Sequence, residues 1–120
     1  MHPRYAYGRR KELQVAEFLD RRGFTVARSP VSRGAVDLLA WKGRKRLAIQ
    51  VKSTRKDRIS SARLGPAGTR RLVESALSNR AQPMLALVSR NYVWLLRVPD
   101  WAILMRGALR LLEYDYIGHT

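Results

Sequence analysis

Cysteine is absent from the 120 residues, which excludes disulfides, thiolate metal sites and a cysteine nucleophile. Histidine is reduced to His2 and His119, one at each terminus, where a solvated tail residue is the ordinary role; a histidine-based triad or metal centre is not expected. No apolar run approaches a membrane span, and none follows a charged start as in a signal peptide, so a soluble, intracellular (cytoplasmic) protein is expected. There is no internal repeat, no low-complexity segment, no base-reading helix and no aromatic RNA-binding signature. Asparagine is scarce too, which together with the missing cysteine hints at heat tolerance. Acidic residues are also few: nine Asp and Glu face 24 Lys and Arg, leaving +15 and a pI near 11.5. Such a surplus calls for a polyanionic partner, nucleic acid first and an anionic membrane surface second.

The surplus is uneven. Residues 1–60 carry 16 basic and 5 acidic groups, whereas residues 61–120 carry 8 and 4. Hydrophobic residues make up 46%, enough for a core, and the length suits one domain over residues 1–120. A core of this size is marginal, and self-association would help stabilise it. Val15, Ala16 and Leu19 recur at helical spacing and predict a helix from Gly8 to Arg22, ended by Gly23. Strands are predicted over Phe24–Arg28, Ala35–Trp41 and Arg46–Ser53, the last two forming a hairpin about a turn at residues 42–45. Residues 54–68 read as a loop and Thr69–Asn79 as a helix with Thr69 as N-cap. Two further strands, Met84–Ser89 and Tyr92–Val98, precede a short helix over Pro99–Met105 and a segment, Ala108–Ile117, that fits strand or helix. The sum is an α/β domain with a mixed sheet.

Three places carry chemistry. Asp37 lies in Ala35-Val36-Asp37-Leu38-Leu39-Ala40, where an ionised carboxylate needs a partner or a metal because burying it alone is costly. In Leu47-Ala48-Ile49-Gln50-Val51-Lys52, strand alternation puts Gln50 and Lys52 on one face, on the strand that pairs with the Asp37 strand. On the first helix, Val15, Ala16 and Leu19 fall within about 60° of Glu12, so Glu12 is centred on the apolar stripe, while Glu17 points about 140° away and reads as a surface charge. Each has a plainer reading: a strand-end Asp facing solvent, a strand with a polar outer face, and an acid at a helix's exposed first turn. Their conjunction suits phosphodiester hydrolysis, which needs a divalent cation to bind a non-bridging oxygen and activate water. Hard cations such as Mg²⁺ take oxygen ligands. Asp37 and the Gln50 amide oxygen could supply two, with Glu12 a third directly or through water, and Lys52 could orient the attacking hydroxide or stabilise charge on the phosphate.

Glu, then Asp, then (Glu or Gln)-x-Lys on a hairpin resembles the PD-(D/E)XK nuclease superfamily, and within it the chain is similar to the archaeal-type Holliday-junction resolvases. The resemblance rests on Gly8-Arg9-Arg10-Lys11-Glu12, Gly23-Phe24, Arg28-Ser29-Pro30-Val31-Ser32, Asp37-Leu38-Leu39-Ala40 and Gln50-Val51-Lys52-Ser53, with Arg55-Lys56-Asp57 following. It covers residues 8–57, with weaker support from the helix at 69–79. It implies a restriction-endonuclease-like fold, a mixed central sheet flanked by helices. It also implies metal-binding roles for Glu12, Asp37 and Gln50 with Val51 among the metal positions, Lys52 as catalytic lysine, Ser32 as an active-site loop residue, Mg²⁺ with Mn²⁺ as a substitute, and a two-fold homodimer acting on four-way DNA junctions. A serine beside Arg33-Gly34 is also simply a turn former. Two departures stand out: the family usually has an acid at the Gln50 position, and the segment after residue 98 is unlike it, which bears on the dimer contact.

Basic residues gather beside these positions: Arg9, Arg10 and Lys11 before Glu12, Arg28 and Arg33 around Ser32, and Arg55, Lys56, Arg58 and Arg63 after Lys52. Charge runs are commonly solvated faces, but three runs converging on one site fit a phosphate track, read by shape rather than sequence. Trp94, Leu95, Leu96, Trp101 and Ile103 suit a core more than a base-stacking surface, with some available for a dimer patch. The expected activity is metal-dependent, structure-selective cleavage of branched DNA. The alternatives are another nuclease of the superfamily acting on flaps, ends or a specific sequence, and a non-catalytic basic DNA-binding protein.

Overall fold

A computed structural model describes residues 3–29, 35–54, 64–90 and 92–109. Helix α1 (Pro3–Asp20) leads into β1 (Thr25–Arg28), β2 (Leu38–Lys42) and β3 (Lys45–Ser53); α2 (Pro66–Ser78) follows, then β4 (Gln82–Ser89), β5 (Tyr92–Arg97) and β6 (Ile103–Ala108). The six strands lie side by side in sequence order. Every neighbouring pair is antiparallel except β3 and β4, which run parallel because α2 carries the chain back across the sheet between them.

The sheet separates two cores. Val15, Phe18 and Leu19 of α1 pack on Leu38, Ala40, Leu47, Ile49, Met84, Ala86, Val88 and Val93. Leu72 and Ala76 of α2 pack on the opposite face, against Ala48, Leu85, Leu87 and Leu96. With α2 on one side and α1 on the other, β4 is buried along nearly its whole length and reads as a continuous apolar run, Met84-Leu85-Ala86-Leu87-Val88.

Two of the chain reversals are set by glycine in the left-handed region. Gly23, at φ 89°, closes α1: its N–H donates to Asp20 O at 3.0 Å and Phe24 N–H to Leu19 O at 3.1 Å, the double bond pattern of a left-handed helix terminus. Gly43, at φ 59°, turns the β2–β3 hairpin at the predicted place, with Lys42 opposite Lys45.

Four expectations change. Helix α1 begins at Pro3 rather than Gly8, so Glu12 sits mid-helix and the first-turn reading of its charge does not apply. Strand β2 begins at Leu38, leaving Asp37 just outside it. Thr69 is not the N-cap: Gly65 is, and Pro66 opens α2, its fixed φ and missing N–H suiting the first helical position. Thr69 lies inside the first turn, its hydroxyl donating to Leu64 O at 3.3 Å. Pro99–Met105 is not a helix. A turn held by Arg97 N–H to Ala102 O at 2.7 Å and by Arg97–Asp100 ion pairing returns the chain as β6. The open edge of β5 offers a ladder that outweighs the weak helical signal there. The segment Ala108–Ile117 lies outside the described residues beyond Leu109.

Candidate active site

The site forms where β2 and β3 part. Their pairing ends at Leu38–Ile49, while β3 runs on to Ser53. Asp37 N–H donates to Ile49 O at 2.8 Å, and the Asp37 carboxylate takes over where the strand has stopped: Oδ2 accepts the Val51 N–H at 2.7 Å. Asp37 is therefore fixed by the backbone of the strand that carries the other candidate groups. Alternation along β3 puts Gln50 and Lys52 on the face shared with Ala48, as the sequence predicts. Glu12 reaches the same place from α1, held by Arg28 of β1 (Nε to Oε1, 3.4 Å).

These groups surround one cavity of about 250 Å³, lined by Lys11, Glu12, Asp37, Gln50, Val51, Lys52 and Ser53. Burial raises the Asp37 carboxyl above its ordinary pKa, opposed by the Val51 N–H and the charges of Lys52 and Arg28. Burial also raises Glu12, helped by the Asp37 charge and opposed by Arg28 and Arg9. Two carboxyls whose charge is disfavoured by burial, beside several cations, make a pocket that suits a divalent ion. The Gln50 amide oxygen is buried and accepts no hydrogen bond among the described residues. A buried carbonyl without a donor is costly, and a hard cation would satisfy it. Among the described residues no three His, Cys, Asp or Glu side chains cluster, so the oxygen donor set is two carboxylates and an amide. Val51 packs its side chain against the α1 core, which leaves only its main chain for the site.

Glu12, Asp37, Gln50 and Lys52 are thus brought together. Ser32, Arg33, Arg55, Lys56, Arg58 and Arg63 lie outside the described residues. Of the expected phosphate contacts, Arg9 and Arg28 are exposed and Arg10 is half-buried. Lys11 departs from an outward track. It is buried in the cavity wall, and its ammonium donates to Arg90 O at 3.2 Å, which ties α1 to the β4–β5 turn. The cause is its place on α1, three and four residues before the buried Gln14 and Val15. Ser53 lines the cavity without having been assigned a role; its only signal is its position after Lys52. Of the apolar residues, Leu95 and Leu96 are core, Trp94 and Trp101 pack half-buried against the α2 core, and Ile103 is exposed.

Comparison with known proteins agrees with the geometry. The family model described as archaeal Holliday junction resolvase (Hjc) matches residues 3–110. The crystal structure of Archaeoglobus fulgidus Hjc, a Holliday junction resolvase from an archaeal hyperthermophile, superposes with a TM-score of 0.66 at 25% identity, covering 92% of this chain and 88% of that one. The mixed sheet with a helix on each face is the restriction-endonuclease-like α/β arrangement.

Proposed function

Because the chain belongs to the archaeal Holliday junction resolvase family and is by that membership a junction-resolving endonuclease, we propose that a divalent cation held by Glu12, Asp37 and Gln50 operates it, with Lys52 as the catalytic lysine. One observation carries the reading: two carboxyls, an amide oxygen with no donor and a lysine meet in one cavity beside exposed arginines. A bound cation supplies a Lewis acid for a non-bridging phosphate oxygen and acidifies a water molecule. Asp37 is the anchoring ligand, since the Val51 N–H fixes its Oδ2 and leaves its other oxygen for the ion. Val51 joins the metal position through its main chain. Glu12 adds charge from α1, directly or through water. Lys52 stabilises negative charge gathering on the phosphate and orients the attacking oxygen. Ser32 is a loop contact to the substrate.

Mg²⁺ is the proposed ion, with Mn²⁺ as substitute, because the donors are all oxygen. Arg9, Arg10 and Arg28, with Arg33, Arg55, Lys56, Arg58 and Arg63, hold phosphates beside the cut, and Lys11 acts from the cavity wall. One nuclease domain acts in each subunit of a two-fold dimer, since a four-way junction presents two symmetry-related strands. No helix among the described residues is long and apolar enough to cross a membrane. The test is incubation with labelled four-way junction, flap, duplex and single-stranded DNA, with and without Mg²⁺. Paired Mg²⁺-dependent cuts confined to the junction support the reading; equal cutting of flaps or duplex, or cutting in EDTA, counts against it.

A further inference from the structure

At the opposite end of the sheet from the cavity lies a larger cleft of about 850 Å³, between the end of α1, the β2–β3 turn and the start of β6. Six cations line it: Arg22, Lys42, Arg44, Lys45, Arg46 and Arg80, and no carboxylate does. Two of the six are tethered. Lys42 Nζ donates to Arg22 O at 2.8 Å, and the Arg22 guanidinium stacks 3.6 Å over the Phe18 ring. The side chains of Arg44, Lys45, Arg46 and Arg80 have no ion pair or hydrogen bond among the described residues. By contrast, Arg21 pairs with Glu17 and Arg97 with Asp100. Four unpaired cations converging on a concavity repel one another unless an anion occupies it. Arg80 is held there by its own backbone. At φ 53° it closes α2, its N–H bonded to Leu77 O at 3.0 Å and Ala81 N–H to Ala76 O at 2.9 Å. Glycine is the usual residue at such a position, so a long cation there is an unexpected choice.

We propose that this cleft binds the phosphate backbone of a duplex DNA arm, at a distance from the cut that the length of β3 sets. Strand β3 has Lys45 at the cleft and Lys52 at the cavity. Seven residues at about 3.3 Å each span about 23 Å. Phosphates along one strand advance about 3.4 Å per step, so the cleft engages an arm about seven base pairs from the cut phosphate. Between the two lies β1, whose exposed positions Thr25, Ala27 and Arg28 carry no acid, so a duplex along that edge meets no like charge. Duplex rather than single strand is favoured because Phe24, the aromatic residue of the lining, is buried and offers no face for a base, while the remaining apolar lining, Leu47, Leu104 and Met105, is aliphatic. The proposal rests on the junction-nuclease reading above.

The test compares wild type with the triple variant R44A/K45A/R80A, three surface changes, each protein first checked by thermal melting. Binding is measured in EDTA to junctions with hairpin-capped arms of 5 or 12 base pairs, across a salt series, alongside binding to immobilised polyglutamate. Wild type is expected to prefer the long arms by about tenfold. The triple variant is expected to lose that preference, bind both junctions at the short-arm level, and lose about 2.7 from the slope of log K on log[salt] if each residue neutralises one phosphate. Its single-turnover cleavage at saturating protein should equal that of wild type. Unchanged long-arm affinity and slope in the triple variant would overturn the proposal, as would loss of polyglutamate binding with DNA binding intact, which would assign the cleft to an acidic protein. Failure of the underlying reading is separately visible: wild type itself would then ignore junctions of either arm length.

Discussion

Asp37 makes the sharpest claim at the level of single residues. Asp37→Asn keeps an oxygen for the Val51 N–H but removes the charge a cation needs, so cleavage should fall to background while junction binding persists or tightens. Wild-type single-turnover rates in Asp37→Asn would refute its role. The same charge sets a pH dependence. Burial raises both Asp37 and Glu12, so the folded, metal-free chain keeps protons over a window in which the unfolded chain has released them. Stability is then greatest at the acid end of that window and falls as pH rises through the raised folded values. Metal loading has the opposite sign, because the ion competes with those protons and gains as pH rises. Thermal melts with EDTA and with Mg²⁺ across pH should therefore diverge upward from the carboxylate range; parallel curves would show that no ion binds there. Gln50 is the departure from the family pattern. Gln50→Glu should keep or raise activity at limiting Mg²⁺, since a carboxylate binds a hard cation better than an amide and Lys52 lies on the same face. Gln50→Ala should lose activity. A Mg²⁺ titration of single-turnover cleavage separates them, and a wild-type curve for Gln50→Ala would remove Gln50 from the ligand set.

The secondary-structure elements show what the sequence could and could not disclose. Gly23 was legible as the end of α1 because the helical spacing stops there and only glycine accepts φ 89° without strain. Gly23→Ala should lower stability by about 1–2 kcal/mol from that backbone penalty, with crowding of Lys42 Cε at 3.3 Å in addition; chemical denaturation measures it. The hairpin was legible from its turn and from alternation, and with it the common face of Gln50 and Lys52. The carboxylate of Asp37 capping Val51 was not, because it depends on β2 stopping one residue short, and strand ends are decided by pairing rather than by composition. Pro66 as a helix opener was a local signal that the glycines on either side obscured. Strand β6 had no local signal strong enough: Pro99–Met105 reads as a short helix, and only the unfilled edge of β5 explains a strand. The distal cleft was hidden for a related reason. The run Lys42-Gly43-Arg44-Lys45-Arg46 reads as an ordinary charged turn until α2 and β6 bring Arg80 and Met105 to it.

For the whole molecule, charge and symmetry dominate. With +15 on 120 residues, junction affinity should fall steeply with salt, by about 0.9 in log K per log[salt] for each phosphate neutralised. A flat response would leave the excess charge without a DNA role. A two-fold dimer should appear by light scattering at micromolar concentration. A monomer that still makes paired cuts would exclude an obligate dimer. The exposed Ile103 on β6 is an apolar group such an interface could cover.

The bond from Val51 N–H to Asp37 Oδ2 also bears on how the gene can change length. Side chains on β3 alternate, so a one-residue deletion between Asp37 and Gln50 that shifted the pairing would swap the faces of Gln50 and Lys52 with those of Ile49 and Val51. The fold could partly absorb such a loss in the turn, but the metal position could not. Insertions are tolerable only where they lengthen the turn itself and leave Leu38 opposite Ile49. Drift in chain length across this hairpin is therefore confined to the few residues at its tip, the same residues that form the rim of the distal cleft.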